Sequence, residues 1–291
     1  MRLAAKWQGS WSSGFCCPEE RGRTRIRLGD EPVDVIRLGK GEPLVLVPGL
    51  AGSWRLLLPL AHCLARRFQV ITYGLRGDGP PSLGYSGPRC GVWDMGGHAA
   101  DLASLIEQLG LERPTVVGVS FGGAIALQMA VEHPRRLGTL VVQGADSRFP
   151  VSIGSSIARR VLERFPLPSD NSFLNQFFNL LHGAKPEPGP LVDFVVERIW
   201  ETDQSVIAQR LAQLEKFDIA DELWRIDVPT LVLAGSKDAI VPASRQTRLA
   251  RSIPGARVET LEGAGHIGFL THRHDFARRV VRYLTKVKTP A

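Results

Sequence analysis

The stretch GVSFG at residues 118–122 offers a nucleophile, because it matches the pattern G-x-S-x-G. The apolar run 115–119 predicts a strand before the serine, and the apolar stretch 121–132 predicts a helix after it. In this setting the pattern predicts a sharp turn, whose glycines avoid collisions with the neighbouring strand and helix. Ser120 would stand at a helix N-terminus, where free N–H groups and the helix dipole favour developing negative charge. We therefore identify Ser120 as the candidate nucleophile.

A serine nucleophile needs a neighbouring base that takes its proton. His266 lies in the glycine-rich stretch 263–268, between a predicted strand at 257–261 and the last predicted helix. Loops at the carboxyl ends of parallel strands collect the active site of a doubly wound sheet, so His266 is the candidate base. Five other histidines are interpreted as surface, core or helix-start residues, without a metal site: His62, His98, His133, His272 and His274.

A carboxylate at another strand end would hold the imidazole in the correct tautomer and stabilise its protonated form. Asp238 follows the predicted strand 230–233 and precedes His266 by 28 residues, which leaves room for one helix and one strand. The alternative is that Asp238 only caps the helix that begins near Pro242. Asp146, which also follows a strand end, is the reserve candidate for the acid.

Acyl transfer also requires donors for the oxyanion of its transition state. The stretch VPGLAG at 47–52 follows the first predicted parallel strand, and its two glycines allow the backbone to approach a substrate. We expect the backbone N–H groups of Leu50 and Phe121 to form this oxyanion hole.

Short apolar runs alternate with helical patterns along most of the chain, which predicts a doubly wound α/β fold with a mostly parallel sheet. From residue 44 onward these runs do not alternate with polar residues, as is typical of strands buried on both faces. The predicted strands are 24–28, 33–38, 44–47, 69–73, 115–119, 139–142, 230–233 and 257–261. The predicted helices between them are 54–67, 94–109, 121–132, 242–251 and 272–286.

Residues 147–222 break this rhythm, because they hold helical periods and seven of the 12 phenylalanines but few glycines. We predict that 147–222 is a helical cap inserted into a core made of 23–146 and 223–291, and that 1–22 is a loose extension. Phe149, Phe173 and Phe177 of the cap are candidate substrate-binding residues. The alternative is that they pack the cap helices together.

Taken together, the chain order Ser120, Asp238, His266, the glycine loop and the insertion resemble the α/β-hydrolase superfamily over about residues 24–288. The segment 74–82 resembles the R-G-x-G-x-S loop of that superfamily. Two positions depart from it. Pro48 stands where many members have His, and Gly74 stands where an acidic residue is frequent. Serine at the elbow argues against haloalkane dehalogenases and epoxide hydrolases, which use Asp there.

The resemblance implies a serine hydrolase that cleaves an ester or similar acyl bond of a small apolar molecule, without metal or organic cofactor. Carbon–carbon bond hydrolysis, cofactor-free haloperoxidase or perhydrolase activity and acyl transfer remain open, because fold does not choose among them. A ligand-binding scaffold with a hydrolase shell is the non-enzyme alternative.

The composition of the 291 residues, 44% hydrophobic and 22% charged, is that of an ordinary globular protein. The net charge of +7 comes from the two ends, 1–27 and 272–291. A nucleic-acid groove would place the positive charge on the body of the protein, so we do not expect nucleic acid as a partner. No apolar run reaches the length of a membrane span, and the apolar stretch at the start, within residues 1–6, is too short for a secretory signal. The four cysteines show no C-x-x-C spacing, so we expect free thiols and a cytoplasmic location, with the oligomeric state left open.

Overall fold

Residues 22–78, 94–149, 159–162, 189–199 and 201–288 are described by a computed structural model. Eight strands form a single sheet in the order β1-β2-β4-β3-β5-β6-β7-β8. Strand β2 pairs antiparallel with β1 and β4, and every other pair is parallel. The strands are β1 Arg23–Leu28, β2 Glu31–Leu38, β3 Glu42–Val47, β4 Phe68–Tyr73, β5 Thr115–Val119, β6 Thr139–Gln143, β7 Thr230–Gly235 and β8 Arg257–Leu261.

Helices flank the sheet on both sides. The α-helices are α1 Leu58–Leu64, α2 Met95–Gln108, α3 Phe121–Glu132, α4 Pro190–Ile199, α5 Gln204–Lys216, α6 Ala243–Ser252, α7 Gly268–Thr271 and α8 Arg273–Lys288. In the part of the chain that the structure describes, short 3-10 helices cover Trp54–Leu57, Pro134–Arg136 and Ala220–Arg225, and residues 159–162 are helical.

Strand β3 shows how the sheet separates two cores. Its residues Val45 and Val47 belong to a buried cluster with α2, α3 and α6, whereas Leu44 and Leu46 belong to a second cluster with α1, α7 and α8. Successive side chains of a strand point to opposite faces, so a continuous apolar run is required where both faces are covered. The doubly wound, mostly parallel sheet that the sequence predicts is therefore confirmed.

Two predicted elements differ from the observed ones. Strand β8 lies at the edge of the sheet, where only β7 pairs with it. Four of its five residues are not buried. The helix predicted over 54–67 is shorter and begins with a 3-10 turn, after which α1 starts near Pro59 and ends at Leu64. Proline favours the first turn of an α-helix, because its missing N–H group needs no partner there.

Between β6 and β7 the described residues contain α4 and α5 but no strand. The two ends of this insertion lie side by side, because Arg148 forms an antiparallel bridge with Asp218 and Ile219 N–H donates to the Ser147 carbonyl at 3.0 Å. The predicted extension, 1–22, lies almost entirely outside the described residues, and the division into cap and core stays a prediction. Within the described residues, no helix is both long and apolar enough to span a membrane.

Candidate active site

Ser120 sits in a strained turn between β5 and α3. Its φ of 52° and ψ of −119° lie in a region that non-glycine residues rarely adopt. A Cβ on Gly118 would come within 2.3 Å of the Gly122 carbonyl oxygen. A Cβ on Gly122 would come within 2.3 Å of the carbonyl oxygens of Val47 and Pro48. Both glycines are therefore needed for the close approach of strand, turn and helix.

The structure brings His266 to Ser120. The imidazole Nε2 lies 2.8 Å from Ser120 Oγ, within hydrogen-bond distance, and the histidine is only 4% exposed. The ring is packed against Gly144, where a Cβ would lie 3.0 Å from the imidazole Cε1. Gly144 also has a φ of +63°, a left-handed conformation that favours glycine.

Asp238 occupies the other side of the imidazole. Its two carboxylate oxygens lie 3.0 and 3.1 Å from Nδ1 of His266. Oδ1 also accepts hydrogen bonds from the N–H groups of Ile240 and Val241 at 3.0 and 2.9 Å. Asp238 thus contacts the histidine and stabilises the turn before α6. It does not cap that helix, because α6 begins after Pro242 without a side-chain cap.

Asp146, the reserve candidate, lies elsewhere. It is buried and its Oδ2 accepts a hydrogen bond from Nε of Arg245 at 2.6 Å, while Oδ1 accepts from Ser147 N–H at 2.7 Å. The geometry therefore favours Asp238 as the partner of His266.

Two buried glutamines support this arrangement, and sequence analysis missed both. Gln246 donates from Nε2 to Asp238 Oδ2 at 3.3 Å and to the Val241 carbonyl at 2.7 Å, and its Oε1 accepts from Gly144 N–H at 2.9 Å. Gln143 donates to the His266 carbonyl at 3.0 Å. No local pattern marks these residues, because their partners are brought close by the fold alone.

The glycine loop after β3 lies beside the nucleophile. A Cβ on Gly49 would stand 3.8 Å from Cβ of Ser120. Phe121 is the first residue of α3, so its N–H has no partner within the helix. In the described part of the chain, no hydrogen bond from the Leu50 N–H is seen either. Both N–H groups thus lack a hydrogen-bond partner among the described residues, and the oxyanion hole that they are expected to form stays a prediction.

A buried polar cluster lies behind Phe121. The ring of His98 packs edge-on against the ring of Phe121, with centroids 5.3 Å apart, and its Nε2 lies 3.1 Å from Gln213 Oε1. Burial lowers the pKa of His98 to about 3, helped by the nearby positive charge of Arg210. His98 is therefore a neutral core residue, in line with its interpretation from sequence.

Asp78 bears on the departure at Gly74. Its Cβ lies 3.8 Å from where a Gly74 side chain would begin, and its Oδ2 accepts a hydrogen bond from Leu75 N–H at 3.0 Å. A carboxylate therefore lies beside this turn although position 74 has no side chain.

The candidate substrate-binding residues are only partly visible. Phe149 is half-buried and its ring packs on Phe217, with centroids 6.2 Å apart. This is a packing contact between the two ends of the insertion. Phe173 and Phe177 lie outside the described residues. Among the residues that are described, no group of three or more His, Cys, Asp or Glu side chains is arranged to hold a metal ion.

The sheet order and the serine turn after β5 define an α/β-hydrolase. The family described as alpha/beta hydrolase fold matches residues 42–273. The chain belongs to this family.

Proteins similar to this chain carry names that refer to different bonds. The chain is 30% identical over 263 residues to a Caulobacter protein named as a carbamate hydrolase, RutD, covering 84% of this chain and 91% of the relative. An esterase from Exiguobacterium antarcticum is 25% identical, with a TM-score of 0.78 over 90% of this chain and 99% of that one. A thermophilic esterase from Thermogutta terrifontis is 26% identical, with a TM-score of 0.77 over 92% and 99%. The chain is thus a member of a hydrolase family.

Proposed function

We propose that the protein is a serine hydrolase that cleaves a carboxylic ester or a similar acyl bond of a small apolar molecule through an acyl-enzyme. The observation that carries the proposal is the 2.8 Å contact between Ser120 Oγ and His266 Nε2, with Asp238 on the other ring nitrogen. A contact from nucleophile to base and another from base to acid are what acyl transfer by a triad needs.

In the first step Ser120 Oγ attacks the carbonyl carbon while His266 takes the hydroxyl proton. The carbonyl oxygen becomes an oxyanion that accepts hydrogen bonds from the N–H groups of Leu50 and Phe121. His266 then protonates the leaving group, and the ester bond breaks to give acyl-Ser120. Water, deprotonated by His266, hydrolyses this intermediate and restores the free serine. No step requires a metal or an organic cofactor.

Carbamate cleavage is a second candidate, and it is favoured by the relative named as a carbamate hydrolase. A carbamate carbonyl would be attacked by the same serine and would use the same oxyanion donors. The two candidates differ in the leaving group and in the atoms beside the carbonyl, which the insertion at 147–222 would contact. We propose that this insertion forms the cap that selects among substrates.

The test is a panel of p-nitrophenyl esters of graded acyl length together with a p-nitrophenyl carbamate. We expect turnover by the wild type to fall by about 10⁴-fold or more in Ser120→Ala, because the members of a triad act as a unit. A wild-type protein inactive on the whole panel, or a folded Ser120→Ala variant that keeps more than about a tenth of the rate, would contradict the proposal.

A further inference from the structure

The loop that is proposed to supply one oxyanion donor is tethered from outside the core. Arg210, on helix α5 of the insertion, donates from Nη1 to the Leu50 carbonyl at 2.8 Å. Its Nη2 donates to the Arg76 carbonyl and to Asp78 Oδ1, each at 2.9 Å. The side chain of Arg210 is 2% exposed and that of Asp78 is 5% exposed, so the ion pair is shielded from water. Buried charges of this kind are retained only where they are well paired.

The same arginine reaches the second proposed donor residue. Its guanidinium carbon lies 6.0 Å from the centre of the Phe121 ring, which is itself fully buried. A cation at that distance from an aromatic face is within range of a favourable interaction. Arg210 therefore contacts Leu50 through its carbonyl and Phe121 through its ring.

A second contact from the insertion secures the far end of the loop. Thr202, between α4 and α5, accepts a hydrogen bond on Oγ1 from Gly52 N–H at 3.1 Å, and it is 1% exposed. Its hydroxyl lies 3.5 Å from Asp78 Oδ1, so it joins the Arg210 cluster. Ile207 and Ala208 of α5 also pack in a small apolar cluster with Leu50.

We infer that Arg210 and Thr202 are positioning residues that fix the oxyanion loop, so that the insertion controls the chemical step as well as substrate access. The inference rests on the proposed function. Oxyanion donors stabilise the transition state only when they are held in place before the charge develops. The bond to the Leu50 carbonyl holds the peptide that directly follows Leu50, and the bond to Gly52 N–H holds the next one. Fixing these two peptides restricts rotation of the Leu50 backbone, whose N–H is the proposed donor.

The test compares Arg210→Met and Arg210→Lys with Arg159→Met. Arg159 is the control, because its Nε pairs with Glu215 Oε2 at 3.1 Å within the same insertion and none of its described hydrogen bonds reaches the loop at 47–52. On an ester that the wild type turns over, we expect Arg210→Met to lower kcat by about 10–100-fold, somewhat less than the loss of a whole oxyanion donor. KM should change little, Arg210→Lys should fall between, and Arg159→Met should match the wild type.

An aryl trifluoromethyl ketone distinguishes a positioning role of Arg210 from a merely structural one. The ketone forms a tetrahedral adduct with the serine, and this adduct carries an oxyanion. The ketone's inhibition constant should weaken in Arg210→Met by the same factor as kcat. Equal losses in Arg210→Met and Arg159→Met, a loss confined to KM, or unchanged ketone binding would overturn the inference. A wild type that neither turns over esters nor binds the ketone would instead overturn the proposed function.

Arg210→Met leaves Asp78 buried without its charged partner, which threatens folding. The inference is therefore also tested with a smaller change, at Thr202. Thr202→Val keeps the shape of the side chain but removes the acceptor for Gly52 N–H, whereas Thr202→Ser keeps the hydroxyl. We expect kcat and ketone affinity in Thr202→Val to lie at least about fivefold below those in Thr202→Ser, because a buried donor is left unpaired. Equal values in the two variants would contradict the inference even if Arg210→Met did not fold.

Discussion

The side-chain amide of Gln246 joins the Asp238 carboxylate to the backbone of Gly144, on which the His266 ring packs. Gln246 is fully buried on α6. Its two ends are both used, since Nε2 donates to Asp238 while Oε1 accepts from Gly144 N–H. One side chain thus holds the acid and the wall of the histidine site in a fixed relation.

Gln246→Leu tests this relation. The variant leaves Gly144 N–H buried and unpaired, so we expect unfolding free energy to fall by about 1–3 kcal/mol. We also expect kcat to fall by about tenfold or more, because misplaced catalytic groups lose rate steeply. Urea unfolding and ester kinetics measure the two effects. Gln128→Ala, whose amide bonds only Glu132 at an exposed site, is the control. Unchanged kcat in folded Gln246→Leu would show that Asp238 is held by its backbone donors alone.

Asp238→Asn and Asp146→Asn separate the two carboxylates. Asn at 238 presents the wrong hydrogen-bonding group to His266 and keeps the shape, so we expect kcat to fall by about 10³–10⁴-fold. Asp146→Asn weakens the pair with Arg245 and should lower stability with little effect on kcat. Kinetics and melting curves of both variants decide the matter. The reverse pattern would identify Asp146, which follows β6, as the acid.

Gly122→Ala tests the contact between the turn and β3. The added Cβ would lie 2.3 Å from two backbone carbonyl oxygens, which cannot move as a flexible side chain would. We expect the free energy of unfolding to fall by several kcal/mol, or by about 2–4 kcal/mol if the turn shifts to relieve the clash. Turnover should be lost as well. Gly96→Ala is the control, because a Cβ there meets nothing closer than 3.5 Å. Equal melting temperatures for the two variants would show that the turn is more adaptable than its contacts indicate.

The buried His98 predicts a pH dependence of stability. Burial holds its pKa near 3 in the fold, against an ordinary value of 6.5 in the unfolded chain. Below pH 6.5 the unfolded state therefore binds a proton that the folded state does not, so stability falls as pH falls. Between pH 7 and 5 this group should account for about 2 kcal/mol of lost unfolding free energy. Urea unfolding of the wild type and His98→Gln at both pH values measures it, and equal pH slopes would contradict the assignment.

The sheet and the three proposed catalytic residues were predictable because their signals are local. Ser120, Asp238 and His266 each come shortly after an apolar strand, and parallel strands bring the loops at their carboxyl ends to one edge of the sheet. The exposure of β8 was not predictable from its own residues, since position in the sheet decides burial.

The supporting contacts were hidden because they join distant parts of the chain. Gln246 meets Gly144 across 102 residues, and Arg210 meets Leu50 across 160. An arginine or glutamine on an amphipathic helix carries no sign of the loop that it will contact. Only the packed structure shows that helix α5 touches the proposed oxyanion loop.

Labelling with a fluorophosphonate tests the central claim most directly, because this probe reacts with a serine whose proton is taken by a neighbouring base. Intact mass and peptide mapping are compared for the wild type, Ser120→Ala and His266→Ala, each shown to be folded by its melting curve. We predict one label per wild-type chain, on the peptide that contains Ser120, with none on Ser120→Ala and strongly slowed labelling of His266→Ala. An unlabelled wild type, or a label that persists in Ser120→Ala, would contradict the account.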